Sequence, residues 1–233
     1  MIVTNKKRFD SKFCVRINDS DLEKCEQYKY LGVIFDKNLN WKHHIEYVST
    51  KISKACGSLS KLRHCLSVKV LVEIYNALIH SYVRYGIITW GNAPDSTLNP
   101  LQTLLNRAVR ILTFAPFGHV DLKPIFKELY ILDVKNTFFL ESSKYMFKRK
   151  NGLLPARLAD YFDTTNSQSQ SITSYNLRSS VRQNRVVTRL LSSNRSIQVR
   201  GENLWDEIPQ EVKLNSSINS FKRLIKRMLI ESY

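Results

Sequence analysis

Acidic residues are scarce in this chain. Its 233 residues hold 20 Asp and Glu against 36 Lys and Arg, a formal charge of +16, and a field of that sign favours polyanionic partners. Glycine and proline are scarce too, 7 and 6 residues where average usage is roughly 12%, which argues against a turn-rich sandwich or barrel and against a linker-dominated chain. The four cysteines, Cys14, Cys25, Cys56 and Cys65, form no Cys-x-x-Cys pair, and no signal-peptide pattern opens the chain. The expectation is reduced thiols in an intracellular setting, nucleus or cytoplasm. No apolar run reaches the roughly 18 residues a bilayer span requires, so no membrane role is expected. What is present, 43% hydrophobic and 24% charged residues, is the composition of a folded chain and excludes wholesale disorder.

Catalytic patterns are missing as well. Two-metal nucleotidyl chemistry needs carboxylates converging on ions about 4 Å apart, yet no Asp-Asp pair occurs, and Asp19 and Asp21 fall in an expected solvated turn. His43-His44 and His64-Cys65 complete no four-ligand zinc pattern. Neither a Gly-x-x-x-x-Gly-Lys loop nor a Gly-x-Ser-x-Gly elbow is found. The chain is expected to bind no cofactor and to be inactive alone.

Elements are legible in the hydrophobic pattern. Residues 13–17 alternate, with Phe13, Val15 and Ile17 on one face, and predict one strand of a hairpin. The run Tyr28 to Phe35 is the expected partner, with Gly32 marking a bulge or a close backbone approach. From Asn40 onward, Trp41, Ile45, Val48, Ile52, Ala55, Leu59 and Leu62 recur at helical spacing; His43, Lys54 and Lys61 lie opposite that stripe and Lys51 on its flank. Val68 to Ile88 is apolar nearly all round and predicts a central helix with little exposed surface. Asn99-Pro100 predicts the start of another helix, carrying Leu101, Leu104, Leu105, Ala108, Ile111 and Leu112. Shorter helices are expected over 123–129, 134–150 and 156–162. Thr164 to Ser174 is almost wholly Ser, Thr, Gln and Asn and reads as a linker. Beyond it come Leu204-Trp205 and a final helix with Ile218, Phe221, Leu224, Ile225, Met228 and Leu229 on one side and Lys222, Arg223, Lys226 and Arg227 on the other.

Between Asp163 and Glu202 there is no acid, and six arginines fall there: Arg178, Arg182, Arg185, Arg189, Arg195 and Arg200. A guanidinium forks onto phosphate and stacks on bases, although a solvated basic loop without a ligand would read the same way. Lys144, Lys148, Arg149 and Lys150 cluster at a helix end, where the helix dipole alone accounts for them.

Lys29-Tyr30-Leu31-Gly32-Val33-Ile34-Phe35-Asp36, followed by Leu39-Asn40-Trp41-Lys42-His43-His44-Ile45, resembles the palm-to-thumb junction of non-LTR (LINE-type) retrotransposon reverse transcriptases of the jockey-like group. Tyr85-Gly86-Ile87-Ile88-Thr89-Trp90, Leu105 to Ile111, and Arg200-Gly201-Glu202-Asn203-Leu204-Trp205 with Ile208-Pro209 agree with it in order. The resemblance implies a mainly α chain in four parts: an end-of-palm hairpin over 1–40, a thumb-like helical bundle over 41–162, a polar and basic linker over 163–202, and a basic C-terminal helical extension over 203–233. It implies a primer-grip-like hairpin at Tyr30, Leu31 and Gly32, and a thumb whose Lys51, Lys54 and Lys61 lie along an RNA or DNA template-primer. The catalytic carboxylates and their magnesium belong to a palm that the resemblance places before this hairpin, so that palm is an implied partner and Met1 is expected to be an internal methionine or the start of a truncated copy. The alternative is a helical module that binds a protein or an acidic membrane surface.

Overall fold

The computed structural model describes residues 16–18, 20–21, 25–116, 121–159 and 197–233. It is mainly α, with short antiparallel strand pairs at the N-terminal end. Residues 13–15 of the expected first strand, the polar stretch 164–174 and positions 160–162 lie outside the described residues.

The expected hairpin pairing is not the one observed. Strand β1 (Arg16–Ile17) pairs with β2 (Ser20–Asp21) around Asn18, whereas the Tyr28 to Phe35 run folds back on itself. Strand β3 (Gln27–Tyr30) pairs with β4 (Val33–Asp36), Tyr30 facing Val33 and Gln27 facing Asp36. The turn between them is two residues long, with Leu31 at φ 44° and Gly32 at φ 80°. Both being left-handed gives the primed turn whose twist matches the strands. Leucine rarely adopts that conformation, so no Asn-Gly signal announced the turn. Gly32 is also a close approach, since a Cβ there would stand 3.3 Å from the Tyr85 ring.

The described residues divide into two compact units. One holds those up to Gly86 together with Ala93–Pro116; the other holds Ile87–Asn92 together with those after Pro116. In the first unit, β4 leads into α1 (Lys42–Leu62), which packs along α5 (Asp95–Thr113). The α1 core stripe is His44, Ile45, Val48, Ile52, Cys56 and Leu59. Cys56 replaces the expected Ala55, and Leu62 is exposed, because a 3.6-residue turn drifts away from strict seven-residue spacing.

Val68 to Ile88 departs furthest from expectation. It forms α2 (Val68–Tyr75), a π-helical turn (Asn76–His80), α3 (Ser81–Arg84), a break at Tyr85-Gly86, and α4 (Ile87–Trp90). Its buried positions are Leu71, Tyr75, Ile79, Val83 and Ile87, every fourth residue. At about 100° per residue such a stripe drifts by about 40° at each step around an α-helix. The wider π turn resets that drift. Val68, Val70, Leu78, Tyr82 and Tyr85 are left exposed, so the segment is amphipathic rather than buried all round. Helix α5 starts at Asp95, a turn ahead of the expected Asn99-Pro100, and carries Pro100 inside it. Pro94 supplies the carbonyl that accepts from Thr97 and Leu98 N–H.

The second unit comprises α4, α6 (Lys123–Glu128), α7 (Val134–Lys150), α8 (Ile197–Asp206), α9 (Gln210–Lys213) and α10 (Ile218–Glu231), with a further helical turn at 156–159. Leu132, Leu140, Phe147, Ile208, Phe221 and Ile225 form its core; the Phe147 and Phe221 rings lie 4.6 Å apart and Trp205 stacks on Phe221 at 5.8 Å. Helix α8 begins inside the stretch read as linker. Its Glu202 takes Arg149 at 2.7 Å and Lys150 at 3.1 Å, while Lys144 pairs with Glu141 at 2.6 Å. Three of the four cations clustered at the end of α7 are therefore engaged within the fold.

Candidate nucleic-acid interface

The first unit presents the expected contact residues on two neighbouring features, the β3–β4 turn and the outer face of α1. Their geometry begins with Asp36. This carboxylate is buried and accepts from the backbone N–H of Asn38 (3.0 Å), Asn40 (3.1 Å) and Trp41 (2.9 Å). It clamps a turn in which Leu39 and Trp41 both have positive φ, 50° and 68°, and so aims α1 relative to the hairpin. The acid of the motif is occupied by amides and is not free to ligate a metal. Among the described residues, no group of three or more His, Cys, Asp or Glu could hold an ion.

His44 fixes the same joint from the helix side, its Nδ1 accepting from the Ile34 N–H at 3.3 Å. Burial pushes its imidazole down to about 4, so it is neutral at pH 7 and the charge of this region is lysine charge. Since the folded-state value lies below the ordinary 6.5, the unfolded chain takes up the proton first, and stability present above pH 6.5 is lost as the pH falls toward 4. The expected loss is about 2 to 3 kcal/mol. Denaturation of wild type and His44→Phe from pH 7 to 4 checks it, and parallel pH profiles would refute the assignment.

On the outer face, Tyr30 is 58% and Leu31 72% exposed, with Gly32 exposed between the strands. Lys54 and Lys61 are exposed and Lys51 half-buried, as the helical wheel indicated. Glu46 is the single acid between 42 and 62. Along one flank of α1 runs an open groove of about 750 Å³ lined by Lys42, Glu46, Ser49, Thr50, Ser96 and Thr97, continued past Ser53 and Lys54. Ammonium and hydroxyl donors of this kind suit phosphate oxygens. Of the six arginines, Arg178, Arg182, Arg185, Arg189 and Arg195 lie outside the described residues; Arg200 is half-buried on α8, in the second unit.

Sequence reasoning missed several neighbours of this face. Lys29 donates to Tyr47 Oη at 3.3 Å and lies 4.5 Å over its ring, with Lys51 at 5.6 Å, so the tyrosine gathers two cations between hairpin and helix. The four-residue step from Tyr47 to Lys51 was a readable signal; the approach of Lys29 was not. At the far end of α1, Arg63 stacks 3.8 Å over Phe114, a half-exposed ring at the left-handed end of α5.

Comparison with known proteins bears on what this face belongs to. The RNA-directed DNA polymerase of the mobile element jockey from Drosophila funebris is 34% identical over 107 residues, 44% of this chain and 12% of that protein. A probable RNA-directed DNA polymerase from transposon BS of Drosophila melanogaster is 27% identical over 142 residues, 59% of this chain and 16% of the relative. Over about half its length the chain is similar to jockey-like retrotransposon polymerases. A probable polymerase from the transposon X-element of Drosophila melanogaster adds 29% identity over 121 residues, 50% of this chain and 13% of the relative. These matches span about one-seventh of the relatives' length. No protein-family profile and no solved structure matches the chain. The resemblance carried by the sequence motifs is thus supported by relatives of the same group.

Proposed function

We propose that this chain is a nucleic-acid-gripping segment of a retrotransposon RNA-directed DNA polymerase. The hairpin tip at Tyr30, Leu31 and Gly32, with the lysine face of α1, contacts the sugar-phosphate backbone of a template-primer duplex. The observation that carries this reading is the α1 outer face: Lys42, Lys54 and Lys61 make no ion pair among the described residues, and the groove that Lys42 and Lys54 border includes the hydroxyls of Ser49, Thr50, Ser53, Ser96 and Thr97 among its lining residues. The metals of the polymerase would bind a palm beyond this chain. The exposed stripe of Leu78, Tyr82 and Tyr85 is the surface offered to that palm, because Tyr85 also donates to the Leu31 carbonyl at 2.6 Å and so lies beside the hairpin tip. Among the described residues no helix is long and apolar enough to cross a membrane.

Binding of a labelled RNA·DNA hybrid at graded salt tests the reading. Lys54→Glu combined with Lys61→Glu should leave thermal stability nearly unchanged, since exposed charges contribute within about 0.5 kcal/mol. The same pair should flatten the logarithmic salt slope by about two, at about 0.9 per phosphate contact. An unchanged slope would remove α1 from the interface. The same exposed apolar stripe also suits the protein-interaction alternative, and capture of the chain on acidic vesicles with no affinity for the hybrid would favour its membrane-surface form instead.

A further inference from the structure

Helix α6 ends on a tyrosine where the backbone calls for glycine. The Ile131 N–H bonds to the Phe126 carbonyl at 2.9 Å and the Tyr130 N–H to the Lys127 carbonyl at 3.1 Å, the paired closure in which the residue after the cap turns left-handed. That residue is Tyr130, at φ 56°, a conformation in which a Cβ is disfavoured. Burial does not account for the choice, because Tyr130 is 44% exposed. Lys226 Nζ lies 4.2 Å from the ring centroid, so part of the ring is covered by a cation while part stays open to water. Strain kept at an exposed aromatic points to a use for the ring.

Positive charge predominates on the neighbouring helix. Helix α10 carries Lys222, Arg223, Lys226 and Arg227, two like-charge pairs at four-residue spacing, an arrangement that opposes helix formation. Arg227 is compensated by Glu231 at 2.8 Å, whose carbonyl also accepts from Lys127 at 3.5 Å. Lys222, Arg223 and Lys226 make no ion pair among the described residues. Burial and the neighbouring Lys222 hold the Lys226 ammonium below its ordinary value, and an anion bound there would reverse that.

We infer that this corner of the second unit is a contact for single-stranded nucleic acid, with phosphates on Lys222, Arg223 and Lys226 and a base against the exposed part of the Tyr130 ring. Duplex bases are already stacked on one another, whereas splayed bases stack on aromatic side chains while cations track the backbone. An acidic peptide would satisfy the cations but would make no use of a strained tyrosine. The inference rests on the proposed handling of nucleic acid, yet uses residues of a different unit from the α1 face.

Fluorescence anisotropy of the full chain with a labelled twelve-residue oligothymidylate tests it, with an RNA·DNA hybrid measured alongside. Tyr130→Gly relieves the left-handed strain, so its melting temperature should hold or rise while affinity for the oligothymidylate falls about tenfold. Lys222→Gln with Lys226→Gln should weaken binding similarly and flatten the salt slope by about 1.4, at about 0.7 per single-strand phosphate. Oligothymidylate binding untouched by Tyr130→Gly, or displaced equally well by an oligoglutamate peptide, overturns the inference. Hybrid binding without oligothymidylate binding overturns it and leaves the α1 grip standing; oligothymidylate binding lost in Tyr130→Gly, with no binding of the hybrid, does the reverse.

Discussion

Replacing Asp36 by Ala is expected to cost about 3 to 5 kcal/mol. Hydrogen bonds to a charged acceptor contribute roughly 1.5 to 3 kcal/mol each, and three backbone N–H groups lose theirs at once. Those of Asn38 and Asn40 belong to exposed residues and regain water, but Trp41 is buried, its ring edge-on to Phe35 at 5.5 Å, so its amide stays unsatisfied. The left-handed conformations of Leu39 and Trp41 cost about 1 to 2 kcal/mol each, and without the carboxylate they are left to the Leu39 N–H on the Asp36 carbonyl and the Lys42 N–H on Asn40 Oδ1. Asp36→Asn keeps one carbonyl acceptor and should recover about half of the loss. At about 2 to 4 °C per kcal/mol for a chain of this size, thermal melting should show a drop of roughly 6 to 20 °C for the alanine variant. A drop under 2 °C would mean that the carboxylate does not hold the turn.

That expectation also accounts for the acid in the motif that resembles the polymerase junction: its carboxylate is taken up by backbone amides. The Tyr-Leu-Gly-Val-Ile-Phe-Asp run reads as a joint. Gly32 lets the turn close under Tyr85, Val33 is buried, and Asp36 captures the amides that start α1. Tyr30 and Leu31 are the members whose side chains stand out from it, at the tip proposed above to meet the nucleic acid.

The α1 face was legible in the sequence because a single amphipathic period sufficed to place it. The α1 lysines fell on the outer face because Ile45, Val48, Ile52 and Leu59 defined the inner one. Helix α7 was bounded correctly because Asp133 caps it, accepting from the Asn136 N–H at 2.7 Å. Where apolar residues fill every face, as over Val68 to Ile88, periodicity carries no orientation, and neither the π turn nor the exposed Leu78, Tyr82 and Tyr85 could be read. The hairpin register failed for a related reason. Leucine at a left-handed position is a tertiary outcome, held by the Tyr85 hydroxyl on the Leu31 carbonyl, and local turn preference does not encode it. Lys29 on Tyr47 and Arg63 on Phe114 are likewise contacts between elements, visible only once the helices are packed.

The remaining motif, Tyr85 to Trp90, ends at Gly91, and its glycine is expected to be as sensitive as Asp36. An added Cβ there would lie 2.7 Å from Ile87 Cγ1, from the Ile87 carbonyl oxygen and from Phe138 Cδ2. The carbonyl is already bonded to the Gly91 N–H at 2.6 Å and cannot withdraw, and Trp90 beside it is fully buried. Gly91→Ala must therefore displace α4 from α7 or break that bond. Overpacking of this kind costs about 1 to 3 kcal/mol where side chains can yield and more where backbone must move, so a loss of about 3 to 5 kcal/mol is expected. Gly57 supplies the control. It lies within α1, is exposed, and a Cβ there would meet nothing within 4 Å; Gly57→Ala should stabilise by up to about 1 kcal/mol through helix propensity. Urea unfolding of the two variants should thus move in opposite directions from wild type. Equal and small shifts at both positions would show that Trp90-Gly91 is not a packed joint, and the motif would then need an explanation at the surface.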